Sequence, residues 1–239
     1  MFKLRALLIS SLLLLVACAS QAQTGNTVIT IGVTTNLSSY RNAIYNCSLD
    51  IKQPVKADTL PLETLLSGEY DAVLQVGQPT PDRLLPLQVG EVRLVFIINP
   101  QNPLTQMNSS QLAAILLGMV DDWQMLAPSG FSTPTAIKVW SYPAGDDVRK
   151  MVESLLLEDR QITPRSFIAP DDQAMVEAIS NDPAAIGYSL DINPRANVKS
   201  LPILPASAVV LAQPVIASFS AIPEGDLKDI MACLSKQGE

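Results

Sequence analysis

Short β-branched apolar runs alternate along this chain with segments of helical spacing, and that alternation admits few folds. Residues 28–33 (Val-Ile-Thr-Ile-Gly-Val), 71–77, 92–98 (Val-Arg-Leu-Val-Phe-Ile-Ile), 136–141, 185–188 and 215–219 read as strands. Between them lie helical segments: one ending near Cys47, then 61–66, 109–117, 145–157, 171–180 and 224–236, several opened by Ser, Asp or Pro and closed by Gly. Strand-helix alternation of this kind predicts an α/β protein with largely parallel sheets. The chain has 239 residues, 48% hydrophobic and 16% charged, enough for a sizeable core and too apolar for disorder. No period of 20–50 residues repeats, which argues against a solenoid.

The N-terminus carries a separate message. Lys3 and Arg5 precede an apolar run of 12 residues, 6–17, too short for the roughly 20 residues a membrane span needs. A basic stretch followed by a short apolar one reads as an export signal. The run ends in Leu15-Val16-Ala17-Cys18, which resembles a bacterial lipobox, so Cys18 is expected to be lipidated after removal of 1–17, with 18–26 as a polar tether. The alternative is ordinary cleavage after Ala17-Cys18-Ala19 or Ser20-Gln21-Ala22. Loss of Lys3 and Arg5 takes the 16 basic residues to 14 against 23 acidic, a net charge of −9. The mature chain is expected to work outside the cytoplasmic membrane, held to it by lipid alone. In such an oxidising compartment Cys47 and Cys233 either pair or remain as two buried thiols.

Composition removes several functions. The chain has no histidine, which excludes Ser-His-Asp and Cys-His chemistry and histidine-ligated metals. Its acidity, with an isoelectric point near 4.6, argues against nucleic acid. No Gly-rich phosphate loop, metal-ligand spacing or catalytic carboxylate pair stands out, so no enzyme, cofactor or metal is expected. Asp121-Asp122 and Asp171-Asp172 read as solvated turn caps, and Met151, Met175 and Met231 as core.

Three segments together resemble the phosphate-binding proteins of ABC importers. Residues 96–103 (Phe-Ile-Ile-Asn-Pro-Gln-Asn-Pro) match an Asn-Pro strand end. Residues 110–118 (Ser-Gln-Leu-Ala-Ala-Ile-Leu-Leu-Gly) match a helix closed by glycine, followed by Asp122-Trp123. Residues 182–188 (Asp-Pro-Ala-Ala-Ile-Gly-Tyr) match a third segment, and the likeness extends over about 27–238. It implies a two-lobed type II periplasmic-binding fold with a two-strand hinge. The hinge is expected near 95–99 and 201–214, with 27–95 and 205–239 as one lobe and 96–204 as the other.

In such sheets ligands sit beyond the carboxyl ends of the strands, where helix N-termini present backbone N–H groups. The expected ligand site therefore lies between Thr34, Thr35, Asn36 and Ser39 on one side and Ser141, Gly145, Asp146 and Arg149 on the other. Gly77 and Tyr188 are expected on its walls. The plainer reading of Thr35, Ser38 and Ser39 is that they cap a helix. The family's second anion loop is typically Ser-Gly-Thr followed by arginine, and here it reads Ser141-Tyr142-Pro143-Ala144-Gly145-Asp146-Asp147-Val148-Arg149. Asp146 and Asp147 suit the helix dipole and oppose a dianion by about 4 kcal/mol per charge pair at 4 Å. Arg149 either faces the crevice or pairs with Asp146 or Glu153.

The expected function is a monomeric solute-binding lipoprotein that closes on a small anionic or polar ligand and hands it to an ABC permease. The alternative is a degenerate crevice in a sensor or scaffold lipoprotein acting through a protein partner.

Overall fold

The computed structural model describes residues 28–79, 85–126, 136–205 and 211–237. The leader, Cys18 and the tether lie outside the described residues, as does part of the expected return crossing at 206–210.

The strands are β1 (Ile29–Val33), β2 (Val55–Thr59), β3 (Ala72–Val76), β4 (Leu85–Ile98), β5 (Lys138–Ser141), β6 (Phe167–Ile168), β7 (Ala185–Leu190), β8 (Lys199–Leu201) and β9 (Ala212–Phe219). The helices are α1 (Tyr40–Ile51), α2 (Leu62–Ser67), α3 (Ser109–Leu116), α4 (Asp147–Leu157), α5 (Asp172–Asn181) and α6 (Gly225–Gln237). The first lobe holds the order β2-β1-β3-β9-β4, and the second builds β7, β5 and β6 outward from β4, with β8 also on β4. β4 belongs to both: Leu85 to Arg93 pair with β9, and Leu94 to Ile98 pair with β7. The change of sheet falls between Arg93 and Leu94.

The sheets are more mixed than the alternation predicts. β1 runs parallel to β2 and β3, and β5 to β6 and β7. β9 is antiparallel to β3 and β4, and β4 is antiparallel to β7 and β8. β4 carries the chain from one sheet into the other, and its partners on both sides run against it. β4 also starts seven positions before the expected residue 92, at Leu85, where Leu85, Pro86 and Leu87 are exposed and the pattern lacks a buried face. β2, the edge strand Val-Lys-Ala-Asp-Thr, buries only Ala57 and was hidden by its polar residues.

Local chemistry explains the helix starts. Asn108 caps α3 by accepting from Gln111 N at 2.8 Å, and Gln111 Oε1 accepts from Asn108 N at 3.0 Å, a reciprocal capping box. Asp171 caps α5 through Ala174 N. One apolar cluster runs through both lobes, from Ile31 and Leu74 through Phe96 to Ile186 and Met175. Trp123 is fully buried in it, and its Nε1–H donates to Ala184 O at 3.0 Å.

Cys47 of α1 and Cys233 of α6 form a disulfide with Cα atoms 5.8 Å apart, closing 186 residues of chain. The two helices pack side by side on the first lobe, so the bridge ties the end of the chain to its first helix. The chain-entropy model credits a loop of that length with about 5 kcal/mol. Replacing both cysteines by Ser is expected to lower the unfolding free energy by up to about that amount. Equilibrium guanidinium melts measure it, and intact denatured chain should titrate no thiol from either residue.

Candidate functional site

The parallel strands of the first lobe end at one edge. β1 delivers Thr34, β2 ends at Thr59 and β3 leads into Gly77. Thr34 N donates to Leu74 O, which holds the following turn, Thr35–Leu37, against the strand ends. Gly77, at φ +82°, leaves the sheet in a left-handed turn open to Gly at low cost, and its N–H donates to Pro214 O. Opposite, β5 ends at Ser141 and the chain turns through Gly145 (φ +91°) into α4. Asp146 caps that helix, its Oδ1 accepting from Val148 N and Arg149 N at 3.0 Å each.

Hydrogen bonds join the two lobes here. Asp147 Oδ2 accepts from Thr34 Oγ1 at 2.8 Å and from Val76 N at 2.9 Å. Asp146 Oδ2 accepts from Asn36 Nδ2 at 2.9 Å, and Asn193 Nδ2 donates to Asn36 O at 3.0 Å. Asp147 Oδ1 accepts from Val148 N at 3.0 Å, on its own helix. Thr34, Asn36 and Asp147 are each under 5% exposed. A cavity of about 360 Å³ opens beside Asp147, between Leu62 and Gly77 of the first lobe and Met151 and Leu155 of α4.

Electrostatics set this edge apart. Among the described residues no Lys or Arg pairs with Asp146 or Asp147. Burial, then the neighbouring Asp147 charge, pushes the Asp146 carboxyl up to about 7. Burial also raises Asp147, opposed by its Val76, Thr34 and Val148 donors. Arg149 does not reach them: its Nε donates to Glu153 Oε1 at 2.9 Å and its Nη1 to Tyr142 O at 3.1 Å.

The remaining expected site residues lie elsewhere. Ser141 and Tyr188 are fully buried below the crevice, joined hydroxyl to hydroxyl at 2.8 Å. Tyr142 stacks edge-on against Tyr188 and donates to Asp172 Oδ1 at 3.0 Å, and Ser189 Oγ donates to the same oxygen. Asp172 is thus a buried acceptor, not the solvated cap its sequence context suggests, and burial raises its carboxyl. Thr35 is half-buried in the turn, and the Ser39 hydroxyl is buried with no partner; neither Thr34 nor Ser39 caps the helix it precedes. The sequence reading did not select Asp147, Val76 or Asn193. Val76 acts through its backbone, which no side-chain pattern reveals.

Two expectations follow from this geometry. A Cβ at Gly145 would stand 2.7 Å from Glu63 Oε1 across the crevice, on a backbone that L residues rarely adopt. Gly145→Val is therefore expected to cost about 1–3 kcal/mol, read from chemical melts, and not to be the mild change an ordinary backbone would allow. The second expectation concerns pH. A carboxyl whose proton binds more tightly in the folded chain makes stability fall as pH rises from the unfolded value near 4 to about 7. The thermal midpoint should be higher at pH 5 than at pH 8. Asp146→Ser, which keeps a capping oxygen, should shrink that difference, and an unchanged difference would exclude Asp146 as its source.

No family model matches the sequence, and neither does any curated protein. Solved structures do match in shape. An ABC-type phosphate transport receptor from Vibrio cholerae is 18% identical, with a TM-score of 0.66 over 87% of this chain and 93% of that one. A substrate-binding protein with bound phosphate from Clostridium perfringens is 13% identical, with a TM-score of 0.75 over 89% and 95%. The OxyR regulatory domain from Pseudomonas aeruginosa is 11% identical, with a TM-score of 0.59 over 87% and 96%. At these identities the likeness is one of architecture, and the architecture is the two-lobed type II periplasmic-binding fold.

Proposed function

We propose that this chain is an exported, lipid-anchored solute-binding protein that closes two lobes on a small polar or anionic ligand and presents it to an ABC permease. The observation that carries the reading is the convergence of Thr34 Oγ1, Val76 N–H and the α4 N-terminus on one point in the crevice. Neutral donors brought together from both lobes stabilise a closed state in proportion to what they hold. The adjoining cavity of about 360 Å³, walled by both lobes, supplies room for a small solute. Likeness to a phosphate transport receptor in shape supports the transport role. A dianion such as phosphate is disfavoured by Asp146 and Asp147, which lack a cationic partner among the described residues. The leader and Cys18 support export and anchoring through lipid, with the protein acting as a monomer.

One observation favours a second reading. The point where the donors converge is filled by Asp147, as in a crevice that has given up solute and serves as a sensor or scaffold for a protein partner. A thermal-shift screen of small polar and anionic solutes separates the two, since a ligand at 100 times its Kd adds about 2.7 kcal/mol. Transport predicts at least one such shift, abolished by Thr34→Val; a flat screen favours the scaffold. Separately, Cys18→Ser is expected to release the protein from membranes into the soluble fraction, and continued attachment would sink the lipid anchor.

A further inference from the structure

We infer that the crevice is a carboxylate-binding site and that Asp147 is its resident occupant, closing the lobes without any solute. In a two-lobed binding protein a ligand favours closure by touching both lobes at once. Asp147 does this: its carboxylate belongs to α4 of the second lobe, and Thr34 Oγ1 and Val76 N, both of the first lobe, donate to Oδ2 at 2.8 and 2.9 Å. Val148 N completes the cradle on Oδ1 at 3.0 Å. The occupant is out of water, at 4% exposure, as is Thr34 at 1%.

The cradle also states its preference. Its donors are one hydroxyl and two backbone N–H groups, all neutral, and Arg149 is held away by Glu153 and Tyr142 O. Such a set matches one delocalised negative charge on two oxygens. A tetrahedral dianion brings a second charge that the cradle's three neutral donors do not match, beside Asp146, whose own Oδ2 is 2.9 Å from Asn36 Nδ2. The cation nearest in the chain, Lys150, lines the adjoining cavity and pairs with neither aspartate. Asn36, fully buried, leaves Oδ1 with no hydrogen-bond partner, so a further acceptor stands at the same edge. A tethered carboxylate acts at an effective concentration of at least about millimolar, so free anions at or below that level do not displace it.

This inference takes the crevice's location from the function proposed above and does not depend on a natural solute. The test uses the mature chain with its disulfide intact, a spectroscopic label on each lobe and two probes, acetate and inorganic phosphate. Wild type is expected to be closed with no addition and unmoved by about 1 mM of either probe. Asp147→Gly removes a –CH2–COO⁻ group, which acetate replaces atom for atom. The variant is expected to open, to reclose with acetate and to bind acetate at least about tenfold more tightly than wild type does, with phosphate no better than for wild type. A wild type that is open without solute overturns the inference, and so does an Asp147→Gly variant that stays closed or ignores acetate. Phosphate reclosing the variant as well as acetate overturns the carboxylate preference. Should Asp147→Gly fail to fold, Thr34→Val removes one donor from the opposite lobe and is expected to raise the open population about tenfold; no change there overturns the inference equally. A solute screen of wild type that finds nothing leaves all these readouts intact, so failure of the transport reading is distinguishable from failure of this one.

Discussion

A single strand of 14 residues, β4, is shared by two sheets, and every distance across the crevice depends on it. Its first part is locked to β9 and its last part lies between β7 and β8. The change of sheet is pinned on both sides: Arg93 N donates to Asp191 Oδ1 at 2.8 Å, and Asp191 N donates to Arg93 O at 2.9 Å. Paired strand leaves few soft dihedrals at this change of sheet. A few polar groups meet at the crevice that these sheets frame.

Those groups are nearly balanced. Hydrogen bonds to a charged acceptor contribute about 1.5–3 kcal/mol each, and Asp147 accepts from two donors across the crevice and one on its own helix. Taking a carboxylate out of water costs several kcal/mol, and no cation offsets it among the described residues. Gain and cost are of the same size. A crevice built around a cation and a bound anion would behave differently, because closure would wait for the anion to arrive.

The sheet-helix alternation was legible because strand segments such as 94–98 and 185–188 are apolar throughout and the caps at Asn108, Asp146 and Asp171 are local. What escaped lacked a local signature. β2 and β8 owe their pairing to partners far along the chain, and the antiparallel placement of β9 is a property of the return path. At the crevice, the two loops were legible from their position after strands and before helices. Which of two adjacent aspartates caps the helix and which turns across the gap was not, since both suit a helix N-terminus equally. The identity of Asp147's second donor was not legible either, being the backbone of Val76.

The floor of the crevice explains why Asp147 holds its place once there. Arg149 ties α4 to Tyr142 O, and the single O–H of Tyr142 in turn donates to Asp172 Oδ1, with Tyr188 O 3.2 Å from the same hydroxyl. Tyr188 lies against Phe96 of β4 with ring centroids 6.2 Å apart, which connects this network to the strand shared by both sheets. Asn193 extends it upward, donating to Asn36 O in the first lobe. Buried polar chains of this kind have few alternative arrangements, because any unpaired member costs about 1–3 kcal/mol. The start of α4 is therefore held from below by the second lobe's interior, and its first carboxylates have one direction left in which to find donors. That direction is across the crevice.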